Sequence, residues 1–298
     1  MSDERFADVG RGIQLCYVEH GDPAGAPLVL IMGLGQQLVA WPEGFVEMLV
    51  QRGYRVVTFD NRDAGRSTHA GYRPPSLAQI LTGRIPADAY HLGDLARDTT
   101  GLLDALELPS AHLAGVSMGG MIAQTVAAHF PSRVRTLTSI MSTTGARFVG
   151  RPRLSTWRLM GGAPPRTRDE AMDRAVRIFR HIGSRGFPFD EPGVRARAAA
   201  AWDRDPSAAG VGRQLAAIFA SGDRTRELRQ IRVPTLVVHG DRDPMVHPSG
   251  GRVTQRAIAG ARLVVIPGLG HDCPAGVWPT LADLIAGHAR EEAGDVAA

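Results

Sequence analysis

The sequence predicts an α/β protein: a mostly parallel sheet flanked by helices and interrupted by one helical insertion. Three observations predict it. Short apolar runs rich in Val, Ile and Leu recur at 28–32, 55–59, 111–116, 134–140, 234–239 and 262–266. Their near-continuous apolarity suits strands buried on both faces, as in a parallel sheet. Helix-like segments at 43–52, 91–107, 118–129, 250–259 and 277–290 alternate with them, and alternating β and α units imply helices on both sides of such a sheet. Between 146 and 230 the rhythm stops, and helix-like stretches at 169–182 and 194–203 are punctuated by Gly-Ala-Pro-Pro at 162–165 and Phe-Pro-Phe-Asp-Glu-Pro at 187–192.

Each element follows in order. A strand near 12–19 is expected to open the sheet as an antiparallel edge. Residues 1–145 and 231–298 then form the α/β core, and 146–230 form a helical lid over one end of the sheet. The last eight residues read as a frayed tail.

Composition narrows the function classes. The chain is 44% hydrophobic and 21% charged, as in an ordinary globular protein. All 34 basic residues are arginine and the net charge is +4. With 35 glycines and no lysine, this looks like the codon bias of a GC-rich bacterial genome. No nucleic-acid reader motif accompanies the arginines, so no nucleic-acid partner is expected. Two distant cysteines, Cys16 and Cys273, do not make a disulfide framework. The charged first dozen residues hold no signal-peptide core, and no run of 18 apolar residues exists. The expectation is a cytoplasmic protein without a membrane partner, acting as a monomer or homodimer.

The chemistry is concentrated at strand ends. Residues 115–119 read Gly115-Val-Ser117-Met118-Gly119, with an apolar run before and a helix-like run after. A serine in a tight strand-to-helix turn needs residues two before and two after without side chains, so that the chains can pass. The turn lifts the hydroxyl above the sheet and puts a helix N-terminus behind it, where the dipole favours developing negative charge. Ser117 is therefore the candidate nucleophile. A serine hydroxyl needs a base to take its proton, and the base needs a carboxylate to fix its tautomer. The run at 234–239 leads into Gly240-Asp241-Arg-Asp243-Pro244. Asp243 is the candidate acid, and Asp241 is expected to shape the turn through a local side-chain to backbone bond. The last apolar run leads through a glycine-rich turn to His271, the candidate base among ten histidines. The chain order is Ser, Asp, His, the order found in the fold that carries this kind of elbow.

Acyl transfer also needs donors for an oxyanion. The backbone N–H of Met118, after the nucleophile, is one candidate. The loop 31–42 supplies the other at Leu34, because Gly33 frees the backbone to turn. No metal and no organic cofactor is needed for this chemistry.

These pieces together resemble the α/β-hydrolase superfamily across essentially the whole chain, which implies the α/β-hydrolase fold with a lid. Asp60-Asn-Arg62-Asp63-Ala-Gly65-Arg-Ser67 looks like the superfamily's D-x-R-G-x-G-x-S loop, with Asp63 in place of the first glycine. That loop is structural in the superfamily and is assigned no chemistry. Met32-Gly33, Trp41-Pro42, Asp60 to Asp63, the Ser117 elbow and Gly186-Phe-Pro-Phe-Asp190 more narrowly resemble the aclacinomycin methylesterase-like bacterial esterases. The resemblance implies hydrolysis of a carboxylic ester, such as a methyl ester or lactone of a small, largely apolar molecule. Dehalogenases and epoxide hydrolases of the superfamily carry aspartate where this chain has Ser117, which argues against both. The same triad also serves perhydrolases, haloperoxidase-like enzymes and carbon–carbon bond hydrolases. A non-catalytic binding member would be expected to have lost part of it.

Between 147 and 232 there are 18 arginines against nine acidic residues. Charges beyond about 8 Å are screened at physiological salt, so only arginines at the mouth can steer a ligand, and one reading is a mild preference for neutral or acidic, largely apolar acyl substrates. The simpler reading makes the arginines solvated helix faces. Trp157, Phe179, Phe187, Phe189, Trp202 and Phe219 wall the pocket on the first reading and bury the lid against the core on the second.

Overall fold

The computed structural model describes residues 3–82, 84–86 and 89–294. Its strands are β1 (Arg5–Asp8), β2 (Gln14–His20), β3 (Ala26–Ile31), β4 (Tyr54–Phe59), β5 (Ala111–Val116), β6 (Val134–Ile140), β7 (Thr235–Gly240) and β8 (Arg262–Ile266). They form one sheet in the order β1-β2-β4-β3-β5-β6-β7-β8. β1 and β2 pair antiparallel, as do β2 and β4, and every later pairing is parallel. The antiparallel edge is therefore two strands wide. β1 escapes the sequence reading because Arg-Phe-Ala-Asp is short, charged and mostly exposed. It is an edge strand whose pairing, not its apolarity, defines it.

The helices are α1 (Glu43–Val50), α2 (Leu77–Leu81), α3 (Leu92–Ala105), α4 (Met118–His129), α5 (Leu154–Met160), α6 (Arg168–Ile182), α7 (Glu191–Arg204), α8 (Ala209–Ser221), α9 (Thr225–Leu228), α10 (Ser249–Ala257) and α11 (Trp278–Gly294). Helix α11 continues into the segment expected to fray, and residues 295–298 lie outside the described residues.

Alternation along β3 shows how the core is divided. Val29 and Ile31 join Leu95 and Leu102 of α3 and Ile122 and Val126 of α4 on one face. Leu28 and Leu30 join Phe45 and Leu49 of α1 and Leu281 and Ile285 of α11 on the other. Successive strand side chains point to opposite faces, so an apolar run covers both layers at once. The parallel strands all end on one side of the molecule. The loops after β3, β4, β5, β7 and β8 gather there, at the carboxyl ends where ligands bind in open α/β sheets.

Between β6 and β7 the chain forms α5 to α9, with no strand among the described residues. Local signals set the ends of the longer helices. The Thr167 side chain caps α6 by accepting from the Glu170 N–H, and Asp190 caps α7 by accepting from that of Gly193. Much of the arginine on their outer faces pairs at the surface, as in Arg168–Asp203, Arg195–Asp173 and Arg180–Glu191. Such exposed pairs contribute little to stability.

Among the arginines that turn inward, two tie the insertion to core carboxylates. At the end of α7, Arg204 Nη2 donates to Asp60 Oδ2 at 2.7 Å and Nε to Glu4 Oε1 at 2.8 Å. From α8, Arg213 grips Asp63 with both prongs, Nε to Oδ2 at 2.9 Å and Nη2 to Oδ1 at 2.6 Å. Asp63 stands at φ +67°, in the left-handed region that a glycine would take without strain. Where the loop it resembles carries glycine, this chain therefore supplies a carboxylate to the insertion. Gly210 allows the close approach, since a Cβ there would lie 1.8 Å from the Asp63 carbonyl oxygen.

Breaking a buried pair by removing one partner strands the other charge. Arg213→Met is accordingly expected to destabilise the fold by about 3–5 kcal/mol. Adding Asp63→Gly removes the stranded carboxylate and suits the local φ, and should recover most of the loss. Urea denaturation of the single and double variants checks this. A double variant no more stable than the single one would mean that the stranded charge is not what costs.

Candidate active site

Ser117 sits between β5 and α4 with φ +57° and ψ −119°, a conformation that L residues rarely hold. Its neighbours make the turn possible. A Cβ on Gly115 would lie 2.2 Å from the Gly119 carbonyl oxygen, and one on Gly119 would lie 2.0 Å from that of Ile31. Neither position tolerates a side chain, because β3, β5 and the first turn of α4 pass in backbone contact. The turn is held from β6 and the residues after it. The Ser117 N–H donates to the Ile140 carbonyl at 2.9 Å, and the Ser142 hydroxyl donates to the Ser117 carbonyl at 2.8 Å.

Asp243 and His271 lie in the loops after β7 and β8. Gly240 lets these loops touch, since a Cβ there would lie 2.2 Å from the Leu269 carbonyl oxygen. The Asp243 carboxylate is buried. Its Oδ1 accepts the N–H groups of Met245 and Val246, both at 2.8 Å. Its Oδ2 accepts Nδ1–H of His271 at 2.7 Å. The carboxylate is thus fixed by the backbone and in turn fixes the imidazole, with its proton on Nδ1 and its lone pair on Nε2. The Nε2 of His239, four residues before Asp243, lies 3.6 Å from Asp243 Oδ2 but donates to the Val246 carbonyl at 2.8 Å, and burial lowers the ring's basicity. Asp241 does not make the local bond expected of it. It reaches across to accept from the Gly268 N–H at 2.6 Å, which ties the loop after β7 to the loop after β8.

The insertion reaches the same loops. The His271 N–H donates to the Ile182 carbonyl at 2.7 Å, at the end of α6, and Gly270 N–H donates to Ser184 Oγ at 2.9 Å. Thr156 of α5 donates to the Pro244 carbonyl at 3.1 Å, one residue past Asp243. Among the described residues no hydrogen bond joins the Ser117 hydroxyl to His271. Such contacts are commonly long without substrate and tighten with it.

The loop after β3 passes over Ser117, and a Cβ on Gly33 would lie 3.2 Å from Ser117 Cβ and 3.7 Å from its Oγ. Among the described residues, the N–H groups of Leu34 and Met118 donate to no protein acceptor. Asn61 Nδ2 donates to the Met32 carbonyl at 3.1 Å, and the Leu38 N–H donates to Asp60 Oδ1 at 2.7 Å. Gln214 of α8 accepts the Gly35 N–H at 2.8 Å. Sequence reasoning missed Gln214, Ser142 and Ser184. For Gln214 one signal was present: a lone amide at helical spacing among Val211, Leu215 and Ile218.

Neither cysteine competes with Ser117. Burial pushes the thiols of Cys16 and Cys273 up to about 12, so neither offers a thiolate near neutrality. Among the described residues no helix is long and apolar enough to cross a membrane.

Residues 26–273 match the family model described as the alpha/beta hydrolase fold. The chain is 30% identical to a rhodomycin D methylesterase of Streptomyces peucetius, over 91% of this chain and 93% of that protein. It is 27% identical to 3-oxoadipate enol-lactonase 2 of Acinetobacter baylyi, over 85% of each. The crystal structure of an enol-lactonase from Burkholderia xenovorans superposes with a TM-score of 0.74 at 24% identity, covering 95% of this chain and 99% of that one.

Proposed function

The chain belongs to the alpha/beta hydrolase fold family, and from that premise we propose that it is a serine hydrolase cleaving a carboxylic ester through an acyl-enzyme. The observation that carries this reading is Ser117 itself, held at φ +57° between two glycines that admit no side chain. A left-handed non-glycine residue costs about 1–3 kcal/mol, and such strain clusters at functional sites.

The steps follow from the residues. Ser117 Oγ attacks the ester carbonyl carbon while His271 Nε2 takes its proton. Asp243 holds the imidazole in the tautomer that can accept it and stabilises the imidazolium that forms. The carbonyl oxygen becomes an oxyanion between the N–H groups of Leu34 and Met118, each worth roughly 3 kcal/mol in such a role. His271 then returns the proton to the leaving alcohol oxygen as the carbon–oxygen bond breaks. Water, deprotonated by His271, attacks the acyl-enzyme and releases the acid and Ser117. The helical insertion, 146–230, is the lid of this site.

The proposed substrate is a methyl ester or lactone of a small, largely apolar molecule. Similarity to a methylesterase and to an enol-lactonase supports this class. The proposed setting is the bacterial cytoplasm, with the enzyme a monomer or homodimer. A panel of methyl esters and lactones graded by acyl size, with a diketone added, run with and without peroxide, tests the reading. The expected result is saturable hydrolysis that needs no peroxide. Turnover confined to the peroxide arm, or to carbon–carbon cleavage of a diketone, would replace the ester reading.

A further inference from the structure

We propose that Gln214 is a positioning residue through which the helical insertion sets the oxyanion donor of Leu34; this rests on the ester-hydrolase reading above. The observation is a chain of three peptide planes. The Met32–Gly33 peptide is pinned by its carbonyl, which accepts from Asn61 Nδ2 at 3.1 Å. The Leu34–Gly35 peptide is pinned by its N–H, which donates to Gln214 Oε1 at 2.8 Å. Between them lies the Gly33–Leu34 peptide, whose N–H is the oxyanion donor. Its carbonyl accepts from the Gln36 N–H at 3.1 Å. A peptide is planar and turns only about its flanking φ and ψ, so clamping both neighbours fixes where the Leu34 N–H points.

Asn61 clamps from the core and Gln214 from α8. The Gln214 side chain is fully buried, with both ends of its amide in use. Its Nε2 donates to the Arg62 carbonyl at 2.8 Å, which locks the orientation that offers Oε1 to Gly35. Arg213, the preceding residue, holds α8 on Asp63, and Val211 one turn earlier packs on Gly35, where a Cβ would lie 2.8 Å from Val211 Cγ2. Gly35 itself stands at φ +68°. Gln214 touches no reacting atom. It acts through the loop, and it makes the oxyanion site complete only when the insertion is seated on the core.

The test compares Gln214→Met, which matches the volume and removes both hydrogen bonds, with Gln214→Glu, whose carboxyl still accepts the Gly35 N–H. Losing one oxyanion donor outright costs about 10²–10³ in kcat. A misaimed donor should cost less, so Gln214→Met is expected to lower kcat about 10–100-fold with KM little changed. A trifluoromethyl ketone, whose adduct with Ser117 carries the oxyanion, should bind more weakly by the same factor. Gln214→Glu should keep a kcat well above that of Gln214→Met even where its Tm is lower, because the loop bond survives while a buried carboxyl is introduced. Activities that simply follow Tm, or a Gln214→Met loss confined to KM, would overturn the proposal. Should Gln214→Met not fold, Gln214→Ala takes its place in the same ranking. Fluorophosphonate labelling of the unmodified chain separates the two claims. An unlabelled Ser117 overturns the hydrolase reading and this proposal with it, whereas a labelled Ser117 leaves the variants to judge Gln214 alone.

Discussion

Ser117→Ala is expected to remove ester turnover by up to about a millionfold in kcat, with the fold retained. The size follows from what the hydroxyl is asked to do. Without it there is no acyl-enzyme, and only the oxyanion donors and substrate binding remain to accelerate attack by water, which typically leaves about 10³–10⁴ over the uncatalysed rate. The fold is retained because residue 117 holds the turn through its own backbone N–H and carbonyl. The Ser117 N–H meets Ile140, its carbonyl meets Ser142, and α4 begins behind it. Alanine keeps all three and suffers the same left-handed strain. Steady-state kinetics beside thermal unfolding and fluorophosphonate labelling check the prediction. A variant that turns over within about tenfold of the parent would falsify the serine mechanism, whatever the fold.

What made the strand-to-helix turn at Ser117 legible in the sequence was locality. Gly115, Ser117 and Gly119 lie within five residues, and the strand before and helix after follow from the apolar pattern alone. The parallel strands and the main core helices were legible for the same reason, since burial on two faces writes itself into contiguous residues. β1 was not, because its pairing with β2 rather than its composition defines it. The pairing that anchors the insertion was also invisible. Asp63 stood out as a departure from glycine, but its meaning lies in Arg213, 150 residues later. Gln214 has the same character: a polar side chain explained by a backbone N–H at Gly35 and a carbonyl at Arg62, neither of which has a signature in the chain. The oxyanion candidates are harder still, because a backbone donor can be read only from where a loop turns. Sequence patterns thus speak for local turns and for burial, while contacts that join the insertion to the core must be seen in place.

Asp243→Asn is expected to lower kcat by about 10⁴-fold while leaving the fold and KM nearly unchanged. The hydrogen-bond pattern fixes the reason. Oδ1 of residue 243 faces two donors, the N–H groups of Met245 and Val246. An asparagine must keep its carbonyl oxygen there, since turning the amide over would set N–H against N–H. Its NH₂ group is then forced onto the side that meets His271 Nδ1, at the position where Oδ2 now accepts at 2.7 Å. Facing a donor, Nδ1 becomes the acceptor and the ring proton moves to Nε2, so the nitrogen that must take the Ser117 proton no longer has a lone pair to offer. Nothing is removed from the site; the imidazole is held in the wrong tautomer. Asp241→Asn supplies the contrast, because its amide oxygen can still accept from Gly268 without touching the imidazole. If Asp241→Asn loses the activity and Asp243→Asn keeps it, the acid belongs to Asp241 and the tautomer account given for His271 fails with it.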